Sequence, residues 1–181
     1  LIEKGRLGSG SSGRSGAIVH QAYSDRALAG MSRDAVKYYA TMRASTGRVV
    51  GYRQTGVVVL ANRKDAQSLA RFREDVEMQR SIGIDATIVG AEEMRQIVPG
   101  FEIEDDALGC FQPDGGFIDP ERTINAFAKL ARAKGAVTRT GIANPRVLIE
   151  GGRAVGVETD AGTFHAPNVV LATGAWTPSI L

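Results

Sequence analysis

The residues best suited to chemistry lie in the first seventeen positions of the chain. Leu1 and Ile2 lead into the acid Glu3, and residues 5–17 follow as a run of glycine and serine that contains Arg14. A carboxylate at the end of a strand can bind ribose hydroxyls. A glycine-rich loop lets its backbone N–H groups approach phosphate or a flat ring, and serine adds hydroxyl donors. The order therefore predicts a nucleotide site.

The same stretch has a second interpretation. Runs of glycine and serine are typical of flexible linkers and of expression scars. These residues by themselves favour neither interpretation, so the rest of the chain must decide between a nucleotide loop and a linker.

Composition narrows the function classes. The chain has 181 residues, of which 43% are hydrophobic, and a net charge of +2. Lysine and arginine are dispersed, so no nucleic-acid partner is expected. No apolar run reaches the length of a membrane span, and Glu3 and Lys4 interrupt any signal peptide. Cys110 is the single cysteine, and His20 and His165 lie far apart, so we expect no disulfide, no metal site and a cytoplasmic location.

Both ends of the chain read as internal. There is no initiator methionine, the first residues resemble the middle of a strand, and the chain stops just after a helix-start signal at Thr177-Pro178. We therefore expect a fragment of a longer protein, completed by missing chain segments or by another subunit.

The elements that would position these residues alternate between helix and strand. Apolar periodicity and capping signals predict helices over residues 24–45, 64–81, 91–98 and from Pro120 to the stop at Gly135. Ser24 and Asp119 are the predicted caps of the first and last of these helices. The predicted buried faces are Leu28, Met31, Ala35, Tyr38 or Tyr39 and Met42 in the first helix, Leu69, Phe72, Val76 and the Arg80 stem in the second, and Ile124, Phe127, Ala128 and Ala131 in the last. Short strands are predicted at residues 1–3, 18–19, 49–52, 57–60, 86–89, 107–112, 116–118, 136–138, 146–149, 153–158, 163–165 and 168–171. Residues 53–56 are predicted to close a hairpin, as are Gly151-Gly152 and residues 160–162. The pattern indicates a parallel sheet interrupted by a largely antiparallel segment.

The order of motifs resembles the FAD-dependent oxidoreductases of the D-amino-acid-oxidase-like family. The likeness is greatest to the branch of sarcosine oxidase, dimethylglycine dehydrogenase and glycine oxidase. Five segments carry it: residues 1–4, 8–17, 115–120, 151–157 and 169–176. The resemblance implies an α/β fold, with part of a Rossmann-type FAD-binding domain interleaved with a mixed, largely antiparallel α+β substrate-type domain. The FAD-binding parts would cover about 1–45 and 120–181, and the inserted part about 46–119.

The resemblance also implies a set of FAD-binding residues. Glu3 would bind the adenosine ribose hydroxyls, with Lys4 beside the adenine edge. The pyrophosphate and the flavin would be approached by Ser11, Ser12 and Arg14. The isoalloxazine ring would be flanked by the backbone of Gly16, Ala17 and Ile18. Adenine would be contacted near Asn144 and Pro145, where the family usually has a β-branched residue, and the cofactor would be covered by the turn Ala172, Thr173 and Gly174. Glu3 could instead be a solvent-exposed acid, and Arg14 could pair with a surface carboxylate.

No catalytic residue follows from the sequence, although His20 is a candidate. It lies just past the flavin-flanking loop, where relatives commonly carry arginine, and it could tune the flavin or contact a carboxylate substrate. An edge histidine bonded to backbone is the alternative.

The resemblance implies oxidation of a C–N bond in an amine or amino acid, with hydride transfer to the flavin. Substrates of the sarcosine, dimethylglycine, glycine or D-amino-acid type fit this chemistry. Two alternatives stay open. The chain could be a truncated, non-catalytic domain that binds FAD weakly or not at all, because the expected G-x-G-x-x-G would precede Leu1. It could also belong to a nicotinamide-dependent dehydrogenase. The long β-rich segment before residues 169–174 argues against that class, because its members return to the sheet by short crossovers.

Overall fold

Residues 1–61 and 65–180 are described by a computed structural model. They form two compact units, one of residues 1–15 with 124–180 and one of the described residues between 16 and 123. The helices are α1 (Arg26–Thr46), α2 (Ala66–Ser81), α3 (Ala91–Ile97) and α4 (Pro120–Ala133), with 3₁₀ turns at Ser12–Arg14 and Gly174–Ser179. The strands are β1 (Ile2–Glu3), β2 (Ile18–Val19), β3 (Arg53–Gln54), β4 (Val57–Leu60), β5 (Thr87–Gly90), β6 (Leu108–Gln112), β7 (Gly116–Phe117), β8 (Arg139–Thr140), β9 (Arg146–Glu150), β10 (Arg153–Thr159) and β11 (Gly162–His165).

The first unit contains one parallel strand pair and one three-stranded antiparallel sheet. β1 pairs in parallel with β8, so that Glu3 lies opposite Thr140. β9, β10 and β11 form an antiparallel sheet with β10 in the centre. Gly151 and Gly152 both have positive φ, the conformation that a tight hairpin turn requires. The hairpins predicted at Gly151-Gly152 and at residues 160–162 are both confirmed, because β10 pairs with β9 and with β11.

The second unit consists of two small antiparallel sheets with helices packed on them. One sheet has the order β2-β7-β3 and the other β4-β6-β5. A hydrophobic cluster in this unit joins α1, α2, the segment before β5 and the middle of β6. The buried members are Ala29, Val76, Ile84, Ala86 and Cys110. The predicted mixed α/β fold is thus observed, with its parallel and antiparallel parts interleaved along the chain.

The hairpin predicted for residues 49–60 is wrong. Residues 49–52 are not a strand, and the predicted turn contains β3, which pairs with β7, whereas β4 pairs with β6. Gly56 has a φ of +74° and donates its N–H to the carbonyl oxygen of Gly115 at 3.0 Å. The chain therefore turns at this glycine and enters a different sheet.

The buried face predicted for the first helix is correct at Met42 and wrong at Leu28 and Met31. Leu28 and Met31 are 51% and 69% exposed, and the buried residues are Ala29, Val36 and Met42. Apolar residues occur around much of this helix, so periodicity alone did not determine which of them tertiary packing would bury. The cap is Asp25 rather than Ser24, since the Asp25 carboxylate accepts the Leu28 N–H at 2.8 Å.

Two further helices agree better with prediction. In α2, Val76 is buried as expected, although Gln79 is buried in place of the Arg80 stem; the predicted helix start at Lys64 lies outside the described residues. In α4, the predicted cap is confirmed because the Asp119 carboxylate accepts the Arg122 N–H at 2.9 Å. Its buried residue is Ala126, whereas the predicted core residue Phe127 is exposed.

The predicted strand at residues 168–171 is absent. No strand pairs with this segment among the described residues, and Val170 is 85% exposed. An apolar segment forms a ladder strand only where a neighbouring strand supplies hydrogen-bond partners. The helix start expected at Pro178 is not observed, because Pro178 lies within the second 3₁₀ turn. The strand expected at residues 136–138 is observed later in the chain, as β8, which begins at Arg139.

The compact units do not coincide with the predicted domain boundaries. Residues 16–45, predicted to bind FAD together with 120–181, belong to the same unit as 46–119. The assignment of cofactor and substrate roles to these parts stays a prediction. Within the described residues no helix combines the length and the apolar character that crossing a membrane requires.

Candidate functional site

The carboxyl ends of β1 and β8 bring two predicted parts of the site to one edge. The backbone carbonyl oxygen of Glu3 accepts the N–H of Ile142 at 3.2 Å, and Asn144 follows two residues later. Because β1 and β8 are parallel, Glu3 and the segment at Asn144-Pro145 leave the sheet on the same side. This carboxyl edge is where open α/β sheets bind ligands.

The Glu3 carboxylate holds the start of the glycine-rich loop. Its Oε1 accepts the Gly5 N–H at 2.7 Å and the Ser9 hydroxyl at 3.4 Å. Its second oxygen makes no hydrogen bond to a described residue, and the side chain is half-buried rather than fully exposed. The arrangement leaves one carboxylate oxygen able to accept from a ligand hydroxyl. Lys4, next along the chain, is exposed.

The loop of residues 5–15 folds back on itself. A Cβ at Gly13 would lie 2.0 Å from the carbonyl oxygen of Gly8, a distance that no side chain can occupy. Gly8 has a φ of +83°, and a Cβ there would lie 2.8 Å from the Ile124 side chain on α4. Such close contact of two backbones and packing on a helix differ from the random coil of a flexible Gly/Ser linker.

The predicted donors of this loop lie on its surface. Ser12 to Arg14 form the first 3₁₀ turn, which is closed by the Arg14 N–H donating to the Ser11 carbonyl oxygen at 3.1 Å. The side chains of Ser11, Ser12 and Arg14 are exposed. No salt bridge joins the Arg14 guanidinium to a described carboxylate, so the alternative pairing with a surface acid is not observed within that part of the chain. Two hydroxyls and one cation therefore stand available to an anionic ligand.

Two predicted site residues have unusual backbone conformations. Of the non-glycine residues that the structure describes, Ala17 and Asn144 have positive φ, at +53° and +52°. Asparagine tolerates this left-handed region, but alanine is destabilised there by about 1–2 kcal/mol. The Ala17 carbonyl oxygen accepts the Ile118 N–H at 3.1 Å, which holds the conformation. Strained backbone of this kind concentrates at functional sites.

Ile18 lies in a row of three side chains across one sheet. Cross-strand pairing aligns Ile18 of β2, Phe117 of β7 and Arg53 of β3, and all three are exposed. The neighbouring row contains Val19, which is buried. Phe117 and Arg53 were not predicted as site residues, although Phe117 lies within the motif 115–120 that carries the resemblance. Gly16, which precedes the row, has open space around its Cα.

His20 stacks on an aromatic ring. The rings of His20 and Tyr23 have centroids 4.9 Å apart and planes inclined by 20°. The Nδ1 atom of His20 is buried without a hydrogen-bond partner among the described residues, whereas its backbone carbonyl oxygen accepts the Ser32 hydroxyl at 2.6 Å. The alternative of an imidazole bonded to backbone is therefore not observed.

The small-residue turn near the C-terminal end of the chain is present, but its strand is not. Ala172 and Thr173 lead into the second 3₁₀ turn at Gly174, whose φ is +56°. The hydroxyls of Thr173 and Thr177 are 2.9 Å apart, and the Thr177 hydroxyl also donates to the Gly174 carbonyl oxygen. These bonds stay within the turn.

Cys110 is a core residue. It is 1% exposed, and burial raises the pKa of its thiol to about 11. The thiol therefore stays protonated at neutral pH, and a protonated, buried thiol is a poor nucleophile. Within the described residues no three histidine, cysteine or carboxylate side chains lie together as a metal site.

A sequence model of the family described as "FAD dependent oxidoreductase" (DAO) matches residues 1–181. The chain belongs to this family. Members of the DAO family use FAD, and the fold of the chain agrees with that membership. The family match covers every segment that carried the resemblance in the sequence.

Individual relatives in the DAO family extend well beyond this chain. The chain is 28% identical over 177 residues to 4-methylaminobutanoate oxidase (formaldehyde-forming) of Paenarthrobacter nicotinovorans. The matched region covers 98% of this chain and 21% of the relative. It is 32% identical over 199 residues to the anaerobic glycerol-3-phosphate dehydrogenase subunit A1 of Haloferax volcanii, covering 99% of the chain and 32% of the relative. Among solved structures, the L-proline dehydrogenase of P. horikoshii superposes with a TM-score of 0.87 at 30% identity, covering 99% of this chain and 47% of that one. The chain thus spans less than half the length of each.

Proposed function

We propose that the protein containing this chain is an FAD-dependent oxidoreductase that oxidises a C–N bond of an amine or amino acid. The observation that carries the proposal is the carboxyl edge of β1 and β8. There Glu3 and Asn144 leave the sheet on the same side, and the loop of residues 5–15 continues directly from Glu3. When bound, FAD would supply the acceptor for a hydride equivalent from the carbon next to the substrate nitrogen.

The residues at this edge have the chemistry that a dinucleotide needs. Glu3 retains one carboxylate oxygen for ribose hydroxyls, and Lys4 lies beside it. Exposed hydroxyl and guanidinium donors suited to a pyrophosphate are Ser11, Ser12 and Arg14. We assign the adenine contact to the left-handed backbone at Asn144 and to Pro145. The contact of Gly16, Ala17 and Ile18 with the flavin ring, and the cover formed by Ala172, Thr173 and Gly174, are part of the same proposal.

We further propose that the substrate is an amino acid with a substituted nitrogen. The names of two relatives support this choice, because 4-methylaminobutanoate and L-proline are both secondary amines that carry a carboxylate. Sarcosine has the same two groups. His20 is the residue that we assign to the substrate side, since its ring is held by stacking and makes no hydrogen bond to a described residue.

The test uses the purified protein that contains this chain. We expect flavin absorbance, and bleaching of that absorbance on anaerobic addition of sarcosine, L-proline or dimethylglycine. A D-amino acid, whose nitrogen carries no substituent, should bleach it less, and a stronger response to the D-amino acid would contradict the substituted-nitrogen assignment. Glycerol 3-phosphate serves as the comparison substrate, because one relative is named for it. Bleaching by glycerol 3-phosphate with no response to any amine would contradict the C–N assignment. A protein that purifies without flavin and cannot be reconstituted would contradict the whole proposal.

The alternative of a non-catalytic domain has a separate test. Calorimetric titration of the 181-residue chain with FAD distinguishes a non-catalytic domain from a cofactor-binding one. Micromolar binding would contradict the non-catalytic alternative, because it would show that these residues hold FAD by themselves. The match to a FAD-dependent family favours FAD over a nicotinamide cofactor. A cytoplasmic location and an additional subunit stay predictions.

A further inference from the structure

The three buried polar side chains of the described residues are all glutamines. Gln21, Gln79 and Gln112 are 2%, 3% and 0% exposed. They lie on the segment after β2, on α2 and at the end of β6, and two of them form a bridge. Gln112 donates from Nε2 to the Oε1 atom of Gln79 at 2.9 Å.

Both ends of this bridge bind the same short turn. The Gln112 Oε1 atom accepts the backbone N–H of Gln21 at 2.8 Å. The Gln79 Nε2 atom donates to the backbone carbonyl oxygen of Tyr23 at 3.2 Å. The turn itself is closed by the Tyr23 N–H, which donates to the Gln21 carbonyl oxygen at 2.9 Å. Two side chains far apart in the sequence thus fix the start and the end of residues 21–23.

The turn carries the stacked pair of rings. His20 lies immediately before it and Tyr23 is its last residue, and their ring centroids are 4.9 Å apart. On the other side, the Ser32 hydroxyl of α1 holds the His20 carbonyl oxygen at 2.6 Å. The His20 ring makes no hydrogen bond to a described residue, so its orientation depends on the stack and on the backbone at residues 20–23.

Uncharged amides suit this task. A buried amide is costly unless it is hydrogen-bonded, and a bonded chain of amides fixes geometry without titrating. Apolar side chains at positions 79 and 112 would fill the same space but leave the N–H of Gln21 and the carbonyl of Tyr23 without partners. The bridge therefore determines how the turn presents its two rings.

We propose that Gln79 and Gln112 are positioning residues that orient His20 toward the amine substrate. The inference rests on the proposed function, in which His20 lies on the substrate side. The bridge acts on the His20 ring through the turn and the stack with Tyr23.

The chain offers a matched control for the variant that breaks the bridge. Gln79→Met removes the amide that links Gln112 to Tyr23 and keeps a side chain of similar length. Gln21→Met also removes a buried glutamine amide, but the Gln21 Nε2 atom is buried without a partner among the described residues. The backbone N–H of Gln21, which donates to Gln112, is present in the wild type and is retained in Gln21→Met.

The first experiment is a double-mutant cycle in the FAD-loaded protein. We expect Gln79→Met to raise KM for sarcosine or L-proline about tenfold, because residues joined through one hydrogen-bond network couple by energies of this order, with little change in the flavin spectrum. In the background of His20→Ala the same substitution should leave KM unchanged, and Gln21→Met should leave KM unchanged in both backgrounds. An equal effect of Gln79→Met in both backgrounds would show a general structural role and overturn the proposal.

A second experiment measures the His20 ring directly and needs no activity. The chain has two histidines, His20 and His165, so ¹⁵N-edited imidazole signals can be assigned with a His165→Gln variant. We expect the His20 signals to shift in Gln79→Met and in Ser32→Ala, and to stay in place in Gln21→Met. Gln112→Met breaks the same bridge from its other end and covers the case in which Gln79→Met does not fold. Ser32→Ala removes a partly buried hydroxyl and is a positive control, because it releases the His20 carbonyl oxygen from α1. Unchanged His20 signals would overturn the positioning role even if the enzyme oxidises amines, whereas shifted signals in a protein inactive toward amines would contradict the proposed function instead.

Discussion

The backbone of Gly13 passes within van der Waals contact of the carbonyl oxygen of Gly8, so that a Cβ at position 13 would lie 2.0 Å from that oxygen. This contact closes the loop of residues 5–15. It also explains why a sequence typical of a linker forms a defined loop, since the absence of a side chain at position 13 is what permits the two backbones to meet.

The first prediction concerns this contact. Gly13→Ala should force the loop open and weaken FAD binding at least tenfold, which corresponds to about 1.4 kcal/mol. Gly10→Ala is the control, because a Cβ there has open space and the residue lies in the same loop. Calorimetric titration with FAD and thermal unfolding measure both effects. Equal FAD affinities of the two variants would show that the loop contact does not shape the site.

A second prediction separates the charge of Glu3 from its structural role. Glu3→Gln keeps an oxygen that can accept the Gly5 N–H but removes the negative charge. Hydrogen bonds to charged groups contribute about 1.5–3 kcal/mol, so we expect FAD affinity to fall by roughly 10–100-fold with a small change in the unfolding temperature. Glu150→Gln, an exposed acid on β9, should leave both quantities unchanged. A large loss of thermal stability in Glu3→Gln, with FAD affinity retained, would contradict the ribose assignment.

Local signals made part of the fold predictable. The Asp119-Pro120 start of α4 and the Gly151-Gly152 hairpin were correctly predicted because a cap and a turn depend on residues a few positions apart. The segment at residues 168–171 and the chain turn at Gly56 were not, because strand formation depends on a partner that is distant in the sequence.

The same distinction applies to the site. Glu3 and Asn144 were predicted from the order of motifs, and the structure adds that parallel pairing brings their segments to one edge. The bridge of Gln79 and Gln112 could not be predicted, because a polar residue on a helix and another on a strand carry no signal that they meet. Phe117 beside Ile18 likewise depends on the register of β2 and β7.

The third prediction tests the backbone at Ala17. Glycine adopts a φ of +53° readily, so relief of strain offsets its greater flexibility, and Ala17→Gly should leave the free energy of unfolding within about 0.5 kcal/mol. Ala17→Val should destabilise the protein by about 2 kcal/mol, because a β-branched side chain is a genuine outlier in that region. Urea denaturation measures both. A valine variant as stable as the alanine protein would show that this φ is not maintained in solution.

The fourth prediction uses the titration of Cys110. Burial raises the pKa of its thiol from about 9 to about 11, so the folded protein holds this proton more tightly than the unfolded chain. The stabilisation is therefore complete below about pH 9 and is lost as the pH rises to 11. With 1.36 kcal/mol for each pKa unit, the loss is on the order of 2–3 kcal/mol. Burial also raises the pKa of Tyr52, so the quantity to measure is the difference between the wild type and Cys110→Ala in urea denaturation from pH 8 to pH 11. The variant should be less stable at pH 8 because it leaves a cavity, and the difference should shrink toward pH 11; a constant difference would show that the thiol is not buried in the folded protein.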